Sequence, residues 1–347
     1  MSGVPTHGGN LRLANHTHGR RDWLDFSANV NPLGLPDAIT LALLQAITDG
    51  ALEHYPDPDS LALREAFART HGLFAAEVLP GNGASEALHL ALAVLPRGEV
   101  ALPSPCFGEY GDVARLHGHT VCPLAMDPEE FALPRPARRY AGVILGNPNN
   151  PTSRLPQWDC LLQWLDACDW AIVDEAFVEL TVGGEDNSIV PLLRSYPNLI
   201  ILRALTKVLA LPGLRLGYAL AAQPWIAAMK AMQVPWSVNA LAQAVAGALP
   251  DLRGYLRQTE QWIAGEPFWL YGRLRSLGLR VWSPDTNFIL CRSALPAAQI
   301  VGQMAHRGIL IRDASNFAGL DGRYFRLAVR QRAENERLLA ALEEVLA

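Results

Sequence analysis

Only two lysines occur in the 347 residues, Lys207 and Lys230; the other permanent side-chain cations are arginines. Lys207 lies in LRALTKVLALPGLRLGYAL, just after an apolar strand-like run, with Val208, Leu209 and Leu211 around it and Gly213, Arg215 and Gly217 following. A lysine held among apolar groups loses part of its pKa, and its neutral amine can then attack an aldehyde. Lys230 sits in the helical run WIAAMKAMQV and reads as an ordinary surface lysine. Lysine chemistry, if the chain performs any, falls on Lys207.

Three more segments put polar groups at the ends of apolar runs. WAIVDEAF closes on Asp174. That carboxylate is either a turn or helix-capping group or, set against a pyridine ring, the anion that keeps the ring nitrogen protonated. In VILGNPNNPTS a strand runs into a Pro/Asn turn from which Asn147 could present an amide donor to a phenolate oxygen. In LPGNGASEALHLAL, Gly81 and Gly83 precede a helix starting near Ala84 or Ser85. Small residues at a helix N-terminus let backbone N–H groups and the positive dipole end hold a phosphate, although a helix merely capped by Asn82 or Ser85 would read the same.

These groups need a scaffold that brings strand ends together. From Val78 onward short apolar runs alternate with helical stretches: EVALP, GEYGDVARLHG, HTVCPL, YAGVILG, LPQWDCLLQWLDAC, WAIVDEA and NLIILRAL. Strand and helix in turn imply an α/β domain with a mostly parallel central sheet, in which ligands collect at the carboxyl ends of the strands. After Pro235 the pattern changes to long helical stretches, VNALAQAVAGAL and then Leu252 to Leu277, followed by RVW, NFILCR, GILIRD and YFRLAV. The expected organisation is an N-terminal arm over residues 1–35, a large domain over 36–235 and a smaller α+β C-terminal domain over 236–347.

Composition narrows the partners. Half of the residues are apolar and the net charge of -5 is spread without like-charge blocks, which argues against nucleic acid or an anionic membrane as partner and points to a small ligand. No run approaches the roughly 18 to 20 apolar residues of a membrane span, and the N-terminus carries no apolar signal-type core, so a cytoplasmic protein is expected. The five cysteines show neither C-x-x-C nor metal-ligand spacing, so reduced thiols and no metal site are expected.

Taken in order, GNGASE, SPCFGEY, GNPNNPTS, VDEAF and TKVLALPGLRLG closely resemble the fold type I pyridoxal phosphate (PLP) enzymes, specifically the aspartate aminotransferase-like class I/II group. The resemblance implies that Lys207 carries pyridoxal 5'-phosphate as a Schiff base, that Asp174 pairs with the pyridine nitrogen, and that Asn147 bonds the phenolic oxygen. Tyr110, in FGEY, would stack on the ring, and Gly83, Ala84, Ser85, Thr206 and Arg215 would hold the phosphate. Tyr55, in HYPDPDS, matches a tyrosine that reaches the neighbouring subunit's cofactor, which implies a homodimer. The arm THGGN, the segment DFSANVNPLGLP and GILIRDASNFAGLDGRYFRLAVR resemble the L-threonine O-3-phosphate decarboxylases of cobalamin biosynthesis. That likeness implies His7, Gly8, Asn10, Asn31, Arg312 and Arg326 as substrate-binding residues. It also implies loss of CO2 from L-threonine O-3-phosphate to give (R)-1-amino-2-propanol O-2-phosphate. Two alternatives stay open: a histidinol-phosphate-type aminotransferase, which commonly has a tyrosine where this chain has Phe177, and a non-catalytic PLP-binding regulatory module, for which the arm is too short to add a DNA-binding domain.

Overall fold

The computed structural model describes residues 7–19 and 22–347. Thr6, which opens the THGGN motif, and the remainder of the arm at 1–5 and 20–21 lie outside the described residues. The chain begins with helix α1 (Leu11–His18) and a two-residue strand β1 (Leu24–Asp25), then helices α2 (Asp37–Thr48) and α3 (Leu61–His71).

Seven strands then form the main sheet: β2 (Val78–Gly81), β3 (Glu99–Ser104), β4 (Thr120–Ala125), β5 (Tyr140–Gly146), β6 (Cys168–Asp174), β7 (Leu199–Ala204) and β8 (Gly217–Ala221). Their order is β2-β8-β7-β6-β5-β3-β4, and all neighbours are parallel except around β8, which runs against both β2 and β7. The inner strands are apolar almost throughout because both faces are covered: β7 is buried along its whole length, and β6 is buried but for exposed Asp169 and half-buried Asp174 at its end. Trp164, Leu161 and Phe67 pack against one face; Leu88, Ala91 and Val113 pack against the other. Helices α4 (Ala84–Val94), α5 (Gly108–Leu116), α6 (Trp158–Asp166) and the single turn α7 (Leu205–Val208) follow β2, β3, β5 and β7. The first residues after these strands therefore gather at one edge of the sheet, which is where the expected site residues sit in sequence.

A second, antiparallel sheet is built from β9 (Arg280–Val281), β10 (Phe288–Arg292), β12 (Arg312–Asp313) and β13 (Tyr324–Ala328), while β11 (Ile309–Leu310) pairs with β1. Its own core contains Phe325, Leu327, Leu338 and, from near the N-terminus, Leu24 and Phe26.

Val238, Ala242, Val245 and Leu252, beyond Pro235, pack into the core of the main sheet, while Leu24 and Phe26 of the N-terminal arm join the core of the smaller one. The helical stretch over 252–277 falls into two helices, Arg253–Ile263 and Glu266–Ser276, separated at Ala264–Gly265, and Pro267 stands in the first turn of the second, where a missing N–H costs nothing. Among the described residues no helix is long and apolar enough to cross a membrane.

Candidate active site

A cavity of about 540 Å³ opens at the carboxyl edge of the main sheet, between it, the smaller sheet and the N-terminal arm. Lys207, Asp174, Tyr110, Gly83, Ala84, Ser85, Thr206, Arg215, His7, Gly8, Arg312 and Arg326 all line it. Asn147, Tyr55, Asn31 and Asn10 do not.

Lys207 is the third residue of α7, the turn that the end of β7 feeds directly. Burial, reinforced by the charges of Arg326 and Arg215, pulls its ammonium down to about 8, against the opposing charge of Asp174. Its amine lies 5.8 Å from the Phe177 ring centroid. Asp174 ends β6 with Oδ1 accepting from the Ala176 backbone N–H at 2.9 Å and Oδ2 accepting from the Tyr110 hydroxyl at 2.7 Å. Burial raises its carboxyl, while those two hydrogen bonds and the charge of Lys207 work the other way. Tyr110 sits in the first turn of α5, buried, with Phe107 edge-on at 5.5 Å.

The end of the cavity at the N-terminus of α4 is shaped by backbone. Gly83, the N-cap of α4, has φ +84, and a Cβ there would come within 2.7 Å of the Arg215 guanidinium. Only glycine lets that cation close on the helix N-terminus. The guanidinium is steadied by donation to Pro212 O at 3.2 Å, and Thr206 and Ser85 complete this end of the wall.

At the opposite end stand two buried arginines from the smaller sheet. Arg312 donates to Asn316 Oδ1 at 2.8 Å and to Asp313 O; Arg326 donates to Asn150 Oδ1 and, at 3.2 Å, to Ser27 O. Arg326 Nε is buried without a partner, and no carboxylate among the described residues pairs with this side chain. Burial, with Arg312 alongside, pulls Arg326 down to about 9. A guanidinium holds its proton, so the shift marks a buried cation short of an anion.

The arm is placed by a close approach. A Cβ on Gly8 would lie 1.9 Å from Ser27 O, so only glycine fits there, and Gly9 N–H donates to Ser27 Oγ at 2.8 Å. This sets His7 at the cavity, its Nε2 3.0 Å from Glu109 Oε1.

Three assignments change. Asn147 does not face the cavity; its amide donates to Glu175 Oε1 and Asn187 O, both at 3.0 Å, in a buried network beneath the site. The asparagine of that turn that lines the cavity is Asn150. Asn31 is buried and structural: its N–H donates to Lys207 O at 2.9 Å and its amide to Val208 O and Thr259 Oγ1, which brackets the lysine turn. Asn10 is the N-cap of α1, accepting from Leu13 N–H at 3.0 Å. Tyr55 is 80% exposed, its ring 4.6 Å from Trp236, away from this chain's cavity.

Sequence reasoning passed over Asn29. It lines the cavity, is only 2% exposed, and neither Nδ2 nor Oδ1 has a partner. An unpaired buried amide costs roughly 1–3 kcal/mol, so such a group marks a place where a ligand completes the bonding. Its signal was the asparagine pair in SANVNP, of which only the second was singled out.

A strand-edge lysine with a depressed pKa, a buried carboxylate facing it and a glycine-lined helix N-terminus with an arginine define the class. The chain belongs to the aminotransferase class I and II family, whose model matches residues 21–342, and it is a PLP-dependent enzyme of the aspartate aminotransferase-like fold. Within that family it is 36% identical to the threonine-phosphate decarboxylase of Salmonella typhimurium, over 98% of this chain and 96% of that protein. It superposes on the histidinol-phosphate aminotransferase of Clostridium acetobutylicum with a TM-score of 0.84 at 30% identity, and on the L-threonine-O-3-phosphate decarboxylase of Porphyromonas gingivalis with 0.81 at 29% identity. Each superposition covers 92% of this chain and 98% of the other.

Proposed function

We propose that this enzyme removes CO2 from L-threonine O-3-phosphate to give (R)-1-amino-2-propanol O-2-phosphate. The observation that carries the reading is the anion-accepting end of the cavity: Arg312, Arg326, the unpaired amide of Asn29 and His7 of the docked arm all line it, opposite the end that suits the cofactor's phosphate. A small amino acid bearing two anionic groups needs that many donors. The similarity to a threonine-phosphate decarboxylase that runs through the arm supports the choice, as does Phe177 where histidinol-phosphate aminotransferases commonly carry tyrosine.

The residues fit pyridoxal phosphate. Lys207 would hold its aldehyde, Asp174 its ring nitrogen, Tyr110 its face, Asn150 its ring oxygen, and Gly83, Ala84, Ser85, Thr206 and Arg215 its phosphate. The Gly83–Arg215 approach, which a Cβ would block, is the structural test of that fit. When bound, the cofactor supplies the electron sink for the pair released at the α-carbon. The chain's own task is orientation. Arg326 and Arg312 would grip the anionic groups with planar donors, and binding energy from the phosphate would be used to fix how the α-carbon's substituents are presented. Lys207, whose ammonium is drawn down to about 8 by burial, would be the group on this wall able to give and take a proton near neutral pH.

We further propose a homodimer in which Tyr55 serves the partner's cofactor phosphate. Tyr55 lies beside exposed Trp236 and near exposed Val234, an apolar patch suited to cover by a second copy.

The test is CO2 release from threonine phosphate by the PLP-loaded enzyme, run against transfer of the amino group of histidinol phosphate to 2-oxoglutarate. No CO2 together with glutamate formation overturns the decarboxylase reading.

A further inference from the structure

We propose that Glu109 is a positioning residue for substrate recognition: acting through His7, it latches the N-terminal arm across the cavity mouth and holds the imidazole where the substrate's phosphate must lie. The inference rests on the reading of the substrate as a phosphorylated amino acid.

Glu109 and Tyr110 are neighbours in the first turn of α5, so their side chains diverge by about 100°. Tyr110 turns inward to Asp174, and Glu109 meets the arm. The carboxylate takes His7 Nε2 at 3.0 Å, and the imidazole also lies 6.0 Å from the Phe107 ring centroid. Among the described residues Nδ1 has no hydrogen-bond partner, and in the doubly protonated ring it would donate to a ligand oxygen. The arm's other contacts here are made by backbone, Gly8 against Ser27 O and Gly9 N–H to Ser27 Oγ. The Glu109 contact is therefore the polar one that sets where the histidine side chain points, beside the Phe107 ring.

Charge makes the position of Glu109 informative. Lys207, Arg215, Arg312 and Arg326 give the cavity the character of an anion site. Each carboxylate on its wall is engaged: Asp174 accepts from Tyr110, and Asp112 pairs with Arg115 at 3.0 Å. The described partner of Glu109 is His7 alone. An unengaged carboxylate at the mouth would repel a phosphorylated substrate. Engaged, it orients an imidazole, as carboxylates hydrogen-bonded to the far ring nitrogen of metal-bound histidines do.

The pair is half exposed, at 55% for His7 and 36% for Glu109, so its strength is modest. With the holoenzyme and threonine phosphate, Glu109→Gln is expected to raise KM by about three- to tenfold, the size of one net hydrogen bond, with kcat changed less than about twofold. In a His7→Ala background the same substitution is expected to add less than about twofold, because the partner is already gone. An unchanged KM in Glu109→Gln, or an effect that persists undiminished without His7, overturns the proposal. Amide hydrogen exchange over residues 8–18 in the ligand-free holoenzyme separates the latch from the substrate reading. Faster exchange in Glu109→Gln supports the latch even if threonine phosphate is not turned over, and identical exchange overturns it.

Discussion

The two ends of the cavity are built differently. Lys207, Asp174 and Gly83 stand at the ends of largely buried strands of the main sheet, held by sheet hydrogen bonds and apolar packing on both faces. His7, Asn29, Arg312 and Arg326 come from an arm, an extended segment and a second sheet, and they meet through single contacts such as Arg326 to Ser27 O and His7 to Glu109. The first end is fixed by the core and can host one chemistry; the second is assembled from parts that could be exchanged one at a time. A family can keep its cofactor and change its substrate by that division of labour.

Four outcomes would break or sharpen the contrast. Lys207→Ala removes the amine on which the whole site converges. The visible absorbance of the lysine-bound cofactor should vanish, and turnover should fall on the order of 10⁴-fold or more. Retention of the band, with loss in a Lys230 variant, would displace Lys207. Arg326→Lys keeps the charge but loses the fork that joins Asn150 and Ser27, so KM for threonine phosphate should rise about 10- to 100-fold while bound PLP is unaffected. Equal loss of cofactor would show that the two ends are not independent.

The third outcome concerns pH. The folded Lys207 amine titrates near 8, below its ordinary range, so it is mostly ammonium below that pH and mostly neutral above it. Capture of PLP by apoprotein should therefore quicken about tenfold per pH unit up to about 8 and level off beyond, followed by the growth of absorbance. The same shift costs stability at low pH, where the folded state must carry a buried ammonium. That deficit shrinks as pH rises from about 8 to the ordinary lysine pKa, because there the unfolded chain binds more protons. Gly8→Ala gives the smallest effect: its Cβ would strike Ser27 O, the arm would shift, and KM should rise a few fold with the melting temperature nearly unchanged.

Much of the first end was legible in the sequence and less of the second. A lone lysine after an apolar strand and an aspartate closing another are local patterns, and parallel-sheet topology carries them to the same edge. The turn GNPNNPTS holds three asparagines, and only the path of the chain decides that Asn150 meets the cavity while Asn147 turns down to Glu175. Asn29 and Asn31 are two residues apart in one segment, yet one faces the ligand space and the other braces Lys207. Residue type could not separate them, because both environments favour a buried amide. Asn10 was read as a binding group for the same reason, although HGGN followed by a helical run is also an N-cap signal.

The segment from Leu24 to Asn31 leaves one more consequence. It pairs with Ile309 and Leu310 at one end, accepts from Ala328 N–H through Phe26 O, and ends on the carbonyl of Lys207. Eight residues thus work as a ruler laid between the two sheets, with Ser27 and Asn29 as its graduations. Adding or removing one residue would leave either the lysine or the arginines out of register, so this stretch should tolerate substitution at Ala28 far better than any change in length.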